Sequence, residues 1–290
     1  MEENRLIEDV AQALENVRAQ CPLIHNITNY VTVNDVANIV LAVGASPIMA
    51  DDIAEAGDIA SIAGALVLNI GTLNARTVES MVEAGKRANQ AGVPVVLDPV
   101  GAGASALRNQ TTARLLKEVK LTVLRGNLSE ISFIAGEQSN TKGVDAGEAD
   151  ADNDAVAIAK KVAKQLGCVV GITGQVDVVS DGTRVAKIEN GVKMLGKVTG
   201  TGCMTSALVG SYCGANRDAF TAAVAGIATM GMAGEIAFEM VLQKEKDHAK
   251  DKKAYIVPGT GRFHIGIIDA VSRMDGETVK AWAKLHEVER

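Results

Sequence analysis

Short apolar runs rich in β-branched residues alternate with longer helical patterns along this chain of 290 residues. The apolar runs cover residues 65–70, 93–98, 121–124 and 168–173. Helical periodicity occupies residues 72–89, 105–118, a stretch from about 127, and 153–165. Strands that are apolar along their whole length and separated by helices are typical of a parallel sheet with helices on both faces. The pattern therefore predicts an α/β fold with a mainly parallel central sheet.

The pattern changes in the second half of the chain. Two strand-like runs, 176–180 and 183–188, flank Asp181-Gly182, which is a strong hairpin signal. Helical patterns follow over 203–213, 217–243 and from 263 onward, and the acidic stretch 143–154 is expected to be a solvated loop. Strand and helix patterns continue across both halves, so residues 1–290 are expected to form one domain.

Composition excludes several classes of protein. The net charge is −6 and no basic stripe is present, which argues against a nucleic-acid partner. No apolar run reaches the roughly 18–20 residues that cross a bilayer, so no membrane partner is expected either. The four cysteines, Cys21, Cys168, Cys203 and Cys213, form no CxxC pair and are expected to be reduced thiols in a cytoplasmic protein.

A glycine-rich turn, KVTGTGCMTS at 197–206, is the strongest chemical signal. Gly200 and Gly202 bracket Thr201, and Cys203 follows at the start of a predicted helix. Glycine lets the backbone come close to a ligand, and a helix start offers free N–H groups and the positive end of the helix dipole. The turn therefore predicts a phosphate pocket with the Cys203 thiol at its rim.

Polar side chains also mark the ends of the predicted strands. Asp98, Arg125 and Thr173 end three of them, and Glu130 lies five residues after Arg125. Ligands of open parallel sheets bind beyond the carboxyl ends of the strands. Any one of these residues could be structural, and Asp98 alone could cap a helix or a turn. Together with the glycine-rich turn they predict a site at this edge of the sheet.

This set of residues suits phosphoryl transfer, which depends on positioning and charge stabilisation. Asp98 and Glu130 could hold Mg²⁺ directly or through water, and Arg125 could neutralise nucleotide phosphates. The chain has no Walker A motif. GAGASA at 101–106 is a partial match to a Rossmann turn, but the next strand ends in Arg125 rather than in an acidic residue.

The order of these motifs resembles the hydroxyethylthiazole kinase family. The matching segments are HNITNYV at 25–31, SPIMA at 46–50, VLDPVGA at 96–102, RGNLSE at 125–130, TG at 173–174 and GTGC at 200–203. The resemblance implies a ribokinase-like three-layer α/β/α fold. It also implies ATP- and Mg²⁺-dependent phosphorylation of the hydroxyl of 4-methyl-5-(2-hydroxyethyl)thiazole, as in thiamine salvage. A homotrimer with each active site at a subunit boundary is expected on the same ground.

The resemblance assigns roles to ten residues. Met49, Gly200 and Asn26 match the substrate-binding positions, Arg125 and Thr173 the ATP-binding positions, and Asp98 and Glu130 the positions near Mg²⁺. Cys203 occupies the catalytic position, where most ribokinase-like enzymes carry Asp, and Thr201 and Gly202 complete its turn.

The chemical task of Cys203 stays open between a base and a group that only orients the hydroxyl. A bound phosphate and a thiolate would compete for the same positive helix end. A loose phosphoryl transition state also demands little early deprotonation of the acceptor. The working hypothesis is that the backbone of the glycine-rich turn contributes more than the thiol.

Three other functions fit parts of the sequence. The first is an enzyme of the same fold with another substrate, such as a hydroxymethylpyrimidine kinase or an ADP-forming repair dehydratase. The second is a nucleotide-binding sensor or structural subunit without turnover, and the third is an NAD-dependent oxidoreductase. Cys203 in place of Asp, together with Met49, favours the thiazole enzyme over the first. The polar strand ends disfavour the second, and the third has only the partial Rossmann match.

Overall fold

The computed structural model describes residues 2–137, 148–248 and 258–289. Within those ranges nine strands form one sheet in the order β2-β1-β3-β4-β5-β6-β7-β8-β9. Neighbouring strands from β2 to β6 run parallel, and β7, β8 and β9 each pair antiparallel with the strand before them in that order. The bounds are β1 Leu23–Ile27, β2 Ser46–Ile48, β3 Ala65–Asn69, β4 Val95–Asp98, β5 Val123–Asn127, β6 Val169–Thr173, β7 Asp177–Ser180, β8 Val185–Ile188 and β9 Leu285–Glu289.

Helices cover both faces of the sheet. Their bounds are α1 Glu2–Gln20, α2 Val33–Val43, α3 Ala56–Ile62, α4 Ala75–Ala91, α5 Ala106–Glu118, α6 Leu128–Ile134, α7 Glu148–Leu166, α8 Thr201–Ala215, α9 Ala219–His248, α10 Thr260–Arg273 and α11 Gly276–Trp282, with a short 3₁₀ helix at Lys193–Lys197. Successive strand residues point to opposite faces. Ala65 and Val67 accordingly pack in the core with α1, α2 and α8–α11, and Leu66 and Leu68 in a second core with α3–α7. The predicted three-layer α/β/α fold is confirmed.

The strand register brings the predicted polar residues to one edge of the sheet. Asn69 at the end of β3 pairs with Asp98 at the end of β4. Asn127 at the end of β5 pairs with Thr173 at the end of β6. Because these strands are parallel, their carboxyl ends share this edge. Loops that follow these strands therefore meet there.

Local hydrogen bonds explain where several helices begin. Asn74 and Asn127 each form a capping box, with Thr77 and Glu130 respectively. Such side chains satisfy N–H groups that the first helical turn leaves without a partner. The helix predicted at 72–89 therefore begins at Ala75, directly after its Asn74 cap.

The residue directly before helix α8 must be glycine. Gly200 precedes the helix with φ +86°, in the left-handed region, and its carbonyl accepts from the Met204 N–H. A Cβ at position 200 would lie 2.7 Å from Cγ2 of Thr32. Any other residue here would be strained in its backbone and would collide with Thr32.

Three predictions about the elements need correction. The last block is not entirely helical, because Leu285–Glu289 adds edge strand β9 beside β8. The acidic stretch is not all loop, since residues 148–154 lie in α7, while 143–147 fall outside the described residues. Strand β5 continues to Asn127, so Arg125 lies within the strand rather than at its end. In each case a short or polar segment takes its conformation from its neighbours in the fold.

Helix α9 contains a segment, Ala219–Lys246, that is long and apolar enough to cross a membrane by length and composition. In the fold, 83% of its apolar window is buried inside the protein. The sequence pattern had not singled out such a segment. Burial of this kind is also characteristic of the central helix of a globular core.

Candidate active site

The thiol of Cys203 lies in the first turn of α8, next to the turn made by Gly200. The first N–H groups of a helix have no partner within the helix, and they point towards its positive end. Residues 201–203 occupy this position in α8, and Cys203 is half-buried there. The predicted phosphate pocket is thus a helix N-terminus with a thiol on its rim.

Two asparagine amides contact the Cys203 sulfur. Nδ2 of Asn29, in the loop after β1, lies 3.1 Å from Sγ, and Nδ2 of Asn69 lies 3.3 Å from it. Asn29 Nδ2 also donates to Oδ1 of Asn69 at 3.1 Å. An amide nitrogen only donates hydrogen bonds. The Cys203 sulfur is therefore an acceptor in this arrangement.

The same network reaches the buried carboxylate of Asp98. Its Oδ2 accepts from Asn69 Nδ2 at 2.9 Å and from Ser206 Oγ at 2.8 Å, and Arg125 Nη1 lies 3.7 Å away. Asp98 is only 1% exposed. Burial raises the pKa of Asp98 to about 6, with a smaller upward contribution from the charge of Glu130, although Arg125 and the two hydrogen bonds lower it. An additional positive charge beside Asp98 would favour its ionised form.

The Glu130 carboxylate joins two loops. Its Oε1 accepts from the Gly101 N–H and its Oε2 from the Asn127 N–H, both at 2.8 Å. The second bond belongs to the capping box of α6. Glu130 thus anchors the turn after β4 against the start of α6, in addition to any role towards a metal ion.

Arg125 connects the helix start to the end of β6. Its Nη2 donates to Thr173 Oγ1 at 2.6 Å, and its Nη1 donates to the Gly202 carbonyl at 3.2 Å. Nε of Arg125 is buried and has no hydrogen-bond partner among the residues that the structure describes. A Cβ at Gly202 would lie 3.1 Å from Nη1, so the guanidinium packs closely on the glycine-rich turn.

A cleft of about 670 Å³ opens beside Arg125 and Thr173. Its lining includes Thr201 and Gly202 from the glycine-rich turn, the segment after Thr173, and residues of the loop after β8. Asp177 also lines it, and accepts from the Gly174 N–H at 2.8 Å. Burial raises the pKa of Asp177 to about 7, against the lowering effects of the Gly174 bond and the Arg125 charge.

Two of the three residues predicted to contact the substrate, Met49 and Asn26, lie at the β2 and β1 side of the sheet, away from the cleft beside β5 and β6. Met49 follows β2, is half-buried, and packs against the same core as Cys203. The next residue, Ala50, accepts through its carbonyl from Nε2 of His25 at 2.8 Å. Asn26 is 1% exposed and donates to the Ile24 carbonyl. No hydrogen bond in the described part of the chain joins Met49 or Asn26 to Cys203.

The structure thus links six of the ten predicted residues closely. Arg125 donates to Gly202 and Thr173 and forms an ion pair with Asp98. Asn69 donates to both Asp98 and the Cys203 sulfur. Glu130 acts on Asp98 through its charge.

Sequence reasoning missed Asn29, Asn69, Ser206 and Asp177. Asn69 ends an apolar run as Asp98 does, so the same rule could have identified it. Ser206 stands three residues after Cys203, on the same side of a helix. Asn29 and Asp177 carried no comparable signal.

The donor set at the edge of the sheet bears on metal binding. No group of three or more His, Cys, Asp or Glu side chains suited to a metal ion occurs within residues 2–137, 148–248 and 258–289. Mg²⁺ usually keeps several waters and is held by one or two carboxylates together with substrate phosphates. Asp98 and Glu130 fit that pattern, and they do not fit a cage of protein ligands.

Comparison with known proteins gives consistent results. Residues 14–277 match the family described as "HK: Hydroxyethylthiazole kinase family". A protein of Ruminiclostridium cellulolyticum named hydroxyethylthiazole kinase is 59% identical over 97% of this chain and 98% of its own length. The solved structure of a hydroxyethylthiazole kinase from Pyrococcus horikoshii is similar with a TM-score of 0.83 and 38% identity, covering 97% of this chain and 99% of the other.

A more distant solved structure bears on the fold alone. A ribokinase-like superfamily protein from Enterococcus faecalis is similar with a TM-score of 0.57 and 11% identity. The similarity covers 98% of this chain and 85% of the other. This chain therefore has the same overall fold as that protein.

Proposed function

Since this chain belongs to the hydroxyethylthiazole kinase family and is a kinase, we propose that it transfers the γ-phosphate of ATP, with Mg²⁺, to the hydroxyl of 4-methyl-5-(2-hydroxyethyl)thiazole. The product would be the thiazole phosphate used in thiamine salvage. One observation carries the proposal: the Cys203 sulfur, the Asp98 carboxylate and the Arg125 guanidinium belong to one network beside a helix N-terminus.

ATP would bind in the cleft beside Arg125 and Thr173. The guanidinium already faces the glycine-rich turn, so it can neutralise phosphate charge next to the α8 N-terminus. The N–H groups of residues 201–203 would hold the transferred phosphoryl group. Positioned donors of this kind stabilise charge that develops in the transition state.

Asp98 and Glu130 would hold the magnesium ion, directly or through water. A bound Mg²⁺ supplies positive charge that neutralises phosphate oxygens. It would also offset the cost of keeping Asp98 ionised in its buried position, where its pKa is raised to about 6. Asn69 and Ser206 orient that carboxylate through its Oδ2.

Cys203 would orient the acceptor hydroxyl. Its sulfur already accepts from the amides of Asn29 and Asn69, which hold it in place. The substrate hydroxyl would be a further donor to Sγ, and this hydrogen bond would direct its oxygen towards the phosphate pocket. Met49, Gly200 and Asn26 would form the thiazole-binding side.

The active form would be a cytoplasmic homotrimer of single-domain subunits. Tyr30 and Val31, next to Asn29, are 77% and 56% exposed, and apolar side chains of this size are commonly buried at subunit contacts. A neighbouring subunit on this loop would lie at the substrate side of the site.

All four cysteines, each within the described ranges, are free thiols, which suits a reducing compartment. One sheet spans β1 to β9, which supports a single domain.

A coupled ADP-release assay tests the function. The acceptors are the thiazole alcohol, a hydroxymethylpyrimidine and buffer alone, each with Mg²⁺ and with excess chelator. We expect ADP release above background only with the thiazole alcohol and Mg²⁺. Equal release without an acceptor, preference for the pyrimidine, or no release at high enzyme concentration would contradict the proposal.

A further inference from the structure

The loop after β8 lines a continuous part of the cleft beside Arg125 and Thr173, where ATP is proposed to bind. Residues 189–193, 195 and 196 line the cleft, and residues 189–196 are called the wall segment below. The segment includes most of the short 3₁₀ helix Lys193–Lys197 but no long helix or strand. Its position must therefore depend on contacts with the elements behind it.

A buried carboxylate on α9 holds the wall segment. Glu235 Oε1 accepts from the Gly191 N–H at 2.8 Å, and Oε2 accepts from Asn190 Nδ2 at 3.2 Å. Both carboxylate oxygens also lie 3.0 Å from Lys284 Nζ. Glu235 is 7% exposed and Asn190 is 4% exposed. Buried charges require partners of this kind, so the network has one strongly preferred arrangement.

The side-chain amide of Asn190 also bonds to the chain just before β9. Its Oδ1 accepts from the Lys284 N–H at 2.8 Å, and its Nδ2 donates to the Trp282 carbonyl at 2.8 Å. The side chain thus joins the wall segment to the link between α11 and β9. Three segments distant in sequence meet at Glu235 and Asn190.

Two glycines of α9 allow the wall segment to approach closely. A Cβ at Gly231 would lie 2.6 Å from the Asn190 carbonyl oxygen, and a Cβ at Gly234 would lie 2.9 Å from the Leu195 side chain. Gly231 also lines the cleft. A larger residue at position 231 would push the backbone of Asn190 away from the helix, because backbone cannot move aside as a flexible side chain can.

We infer that Glu235 is a positioning residue for the nucleotide, acting through Asn190 and Gly191. The inference rests on the proposed function, in which ATP occupies this cleft. The hydrogen bonds of Glu235 go to the wall segment and to Lys284, and none of them reaches Cys203 or Asp98. Loss of Glu235 should therefore weaken ATP binding and leave recognition of the thiazole alcohol unchanged.

The test compares two variants with matched controls. Glu235→Ala removes the carboxylate, and Gly231→Ala displaces Asn190 without removing a charge. Glu118→Ala removes a carboxylate that pairs with Lys86 and Arg114 elsewhere on the surface. Gly85→Ala puts a Cβ 2.5 Å from the Val119 side chain, in the core that α3–α7 form with the opposite face of the sheet. ATP binding is measured by titration calorimetry, KM by steady-state kinetics, and folding by thermal unfolding.

We expect Glu235→Ala and Gly231→Ala to raise the Kd and KM for ATP by about 10-fold or more, in line with the loss of a bond to a charged group. KM for the thiazole alcohol should stay within about 2-fold, and both controls should keep wild-type ATP affinity. Lys284→Arg, which keeps a cation on the carboxylate, should also bind ATP nearly as wild type.

Two results would overturn the inference. One is unchanged ATP affinity in a folded Glu235→Ala and in Gly231→Ala. The other is an equal rise of both KM values, which would indicate a general structural effect. If the wild-type protein binds ATP without turnover, only the proposed function is refuted. The effect of Glu235→Ala on ATP affinity can still be measured by calorimetry. Wild-type protein that binds no ATP would refute both.

Discussion

At the scale of single residues, the site works through groups held in place by neutral amides and by burial. Asn29 and Asn69 fix the Cys203 sulfur as an acceptor, and Asn69 also binds the Asp98 carboxylate. Each amide hydrogen has a defined partner, so rotation of either side chain would leave buried polar groups unpaired, at about 1–3 kcal/mol each. The roles of thiol and backbone can be separated by substitution.

Gly202→Val should reduce kcat more than Cys203→Ala. A side chain at position 202 would meet the Arg125 guanidinium, because an added Cβ would lie only 3.1 Å from Nη1, and it would displace the guanidinium from the turn. Removing a group that only orients the hydroxyl should lower kcat by about 10- to 100-fold, a smaller loss than is usual for a group that transfers a proton. The measurement is kcat of both folded variants by steady-state kinetics. Complete loss in Cys203→Ala with a near-normal rate in Gly202→Val would refute the ranking.

Asp177→Asn should stabilise the protein at pH 8. The pKa of Asp177 is raised from 3.8 to about 7 in the fold, so the native state holds a proton that the unfolded state releases between these values. Ionised Asp177 therefore lowers the free energy of unfolding, most fully above pH 7, by as much as a few kcal/mol at about 1.36 kcal/mol per pKa unit. Denaturant unfolding should show a gain at pH 8 that shrinks below pH 7 and vanishes near pH 4. A pH-independent difference would be inconsistent with this reading.

At the scale of elements, the site depends on how helices begin. Helix α8 starts at a left-handed glycine that packs on Thr32, and α6 starts at a capping box that includes Glu130. Helix α4 starts at a capping box of the same design, formed by Asn74 and Thr77 outside the site. The two boxes provide a matched pair in which stability and activity can be separated.

Asn127→Ala and Asn74→Ala should each lower the free energy of unfolding by about 1 kcal/mol, the usual cost of losing an N-cap. Only Asn127→Ala should also lower kcat, because it releases the start of α6 and with it Glu130. Denaturant titration and steady-state kinetics on both variants check this. Equal loss of activity in the two would show that the cap at α6 has no special link to the site.

At the scale of the whole molecule, the exposed loop after β1 joins the proposed substrate side of the site to the surface. Tyr30 and Val31 are exposed there, while Asn29 in the same loop contacts the Cys203 thiol. Burying such side chains against another subunit would stabilise the loop that carries Asn29. Assembly and activity should therefore be coupled.

Sedimentation should give the mass of three subunits for the wild-type protein. Val31→Asp should shift the distribution towards monomer and lower turnover, because a charge would be buried at the contact. Leu107→Asp, at another exposed apolar side chain, serves as the control and should change neither. A wild-type monomer with full activity would refute the trimer proposal.

The sheet could be predicted from the sequence because the continuous apolar runs at 65–70 and 168–173 have no stable alternative to burial. The same logic identified Asp98 and Thr173 at strand ends, whereas Asn69, which also ends a strand, was missed. Edge strand β9 could not be found, since Leu285 is the one buried residue among 285–288 and the strand takes its conformation from β8. Asn29 and Glu235 were missed because their partners, Cys203 and Gly191, lie far away in the chain. Only the fold brings them together.

The most direct measurement is the identity of the product. The enzyme is incubated with Mg-ATP and the thiazole alcohol, and the mixture is analysed by mass spectrometry and ³¹P nuclear magnetic resonance. The account predicts a thiazole monophosphate, esterified at the side-chain hydroxyl, in a one-to-one ratio with ADP. ADP and inorganic phosphate without a phosphorylated thiazole, or unchanged ATP, would contradict it.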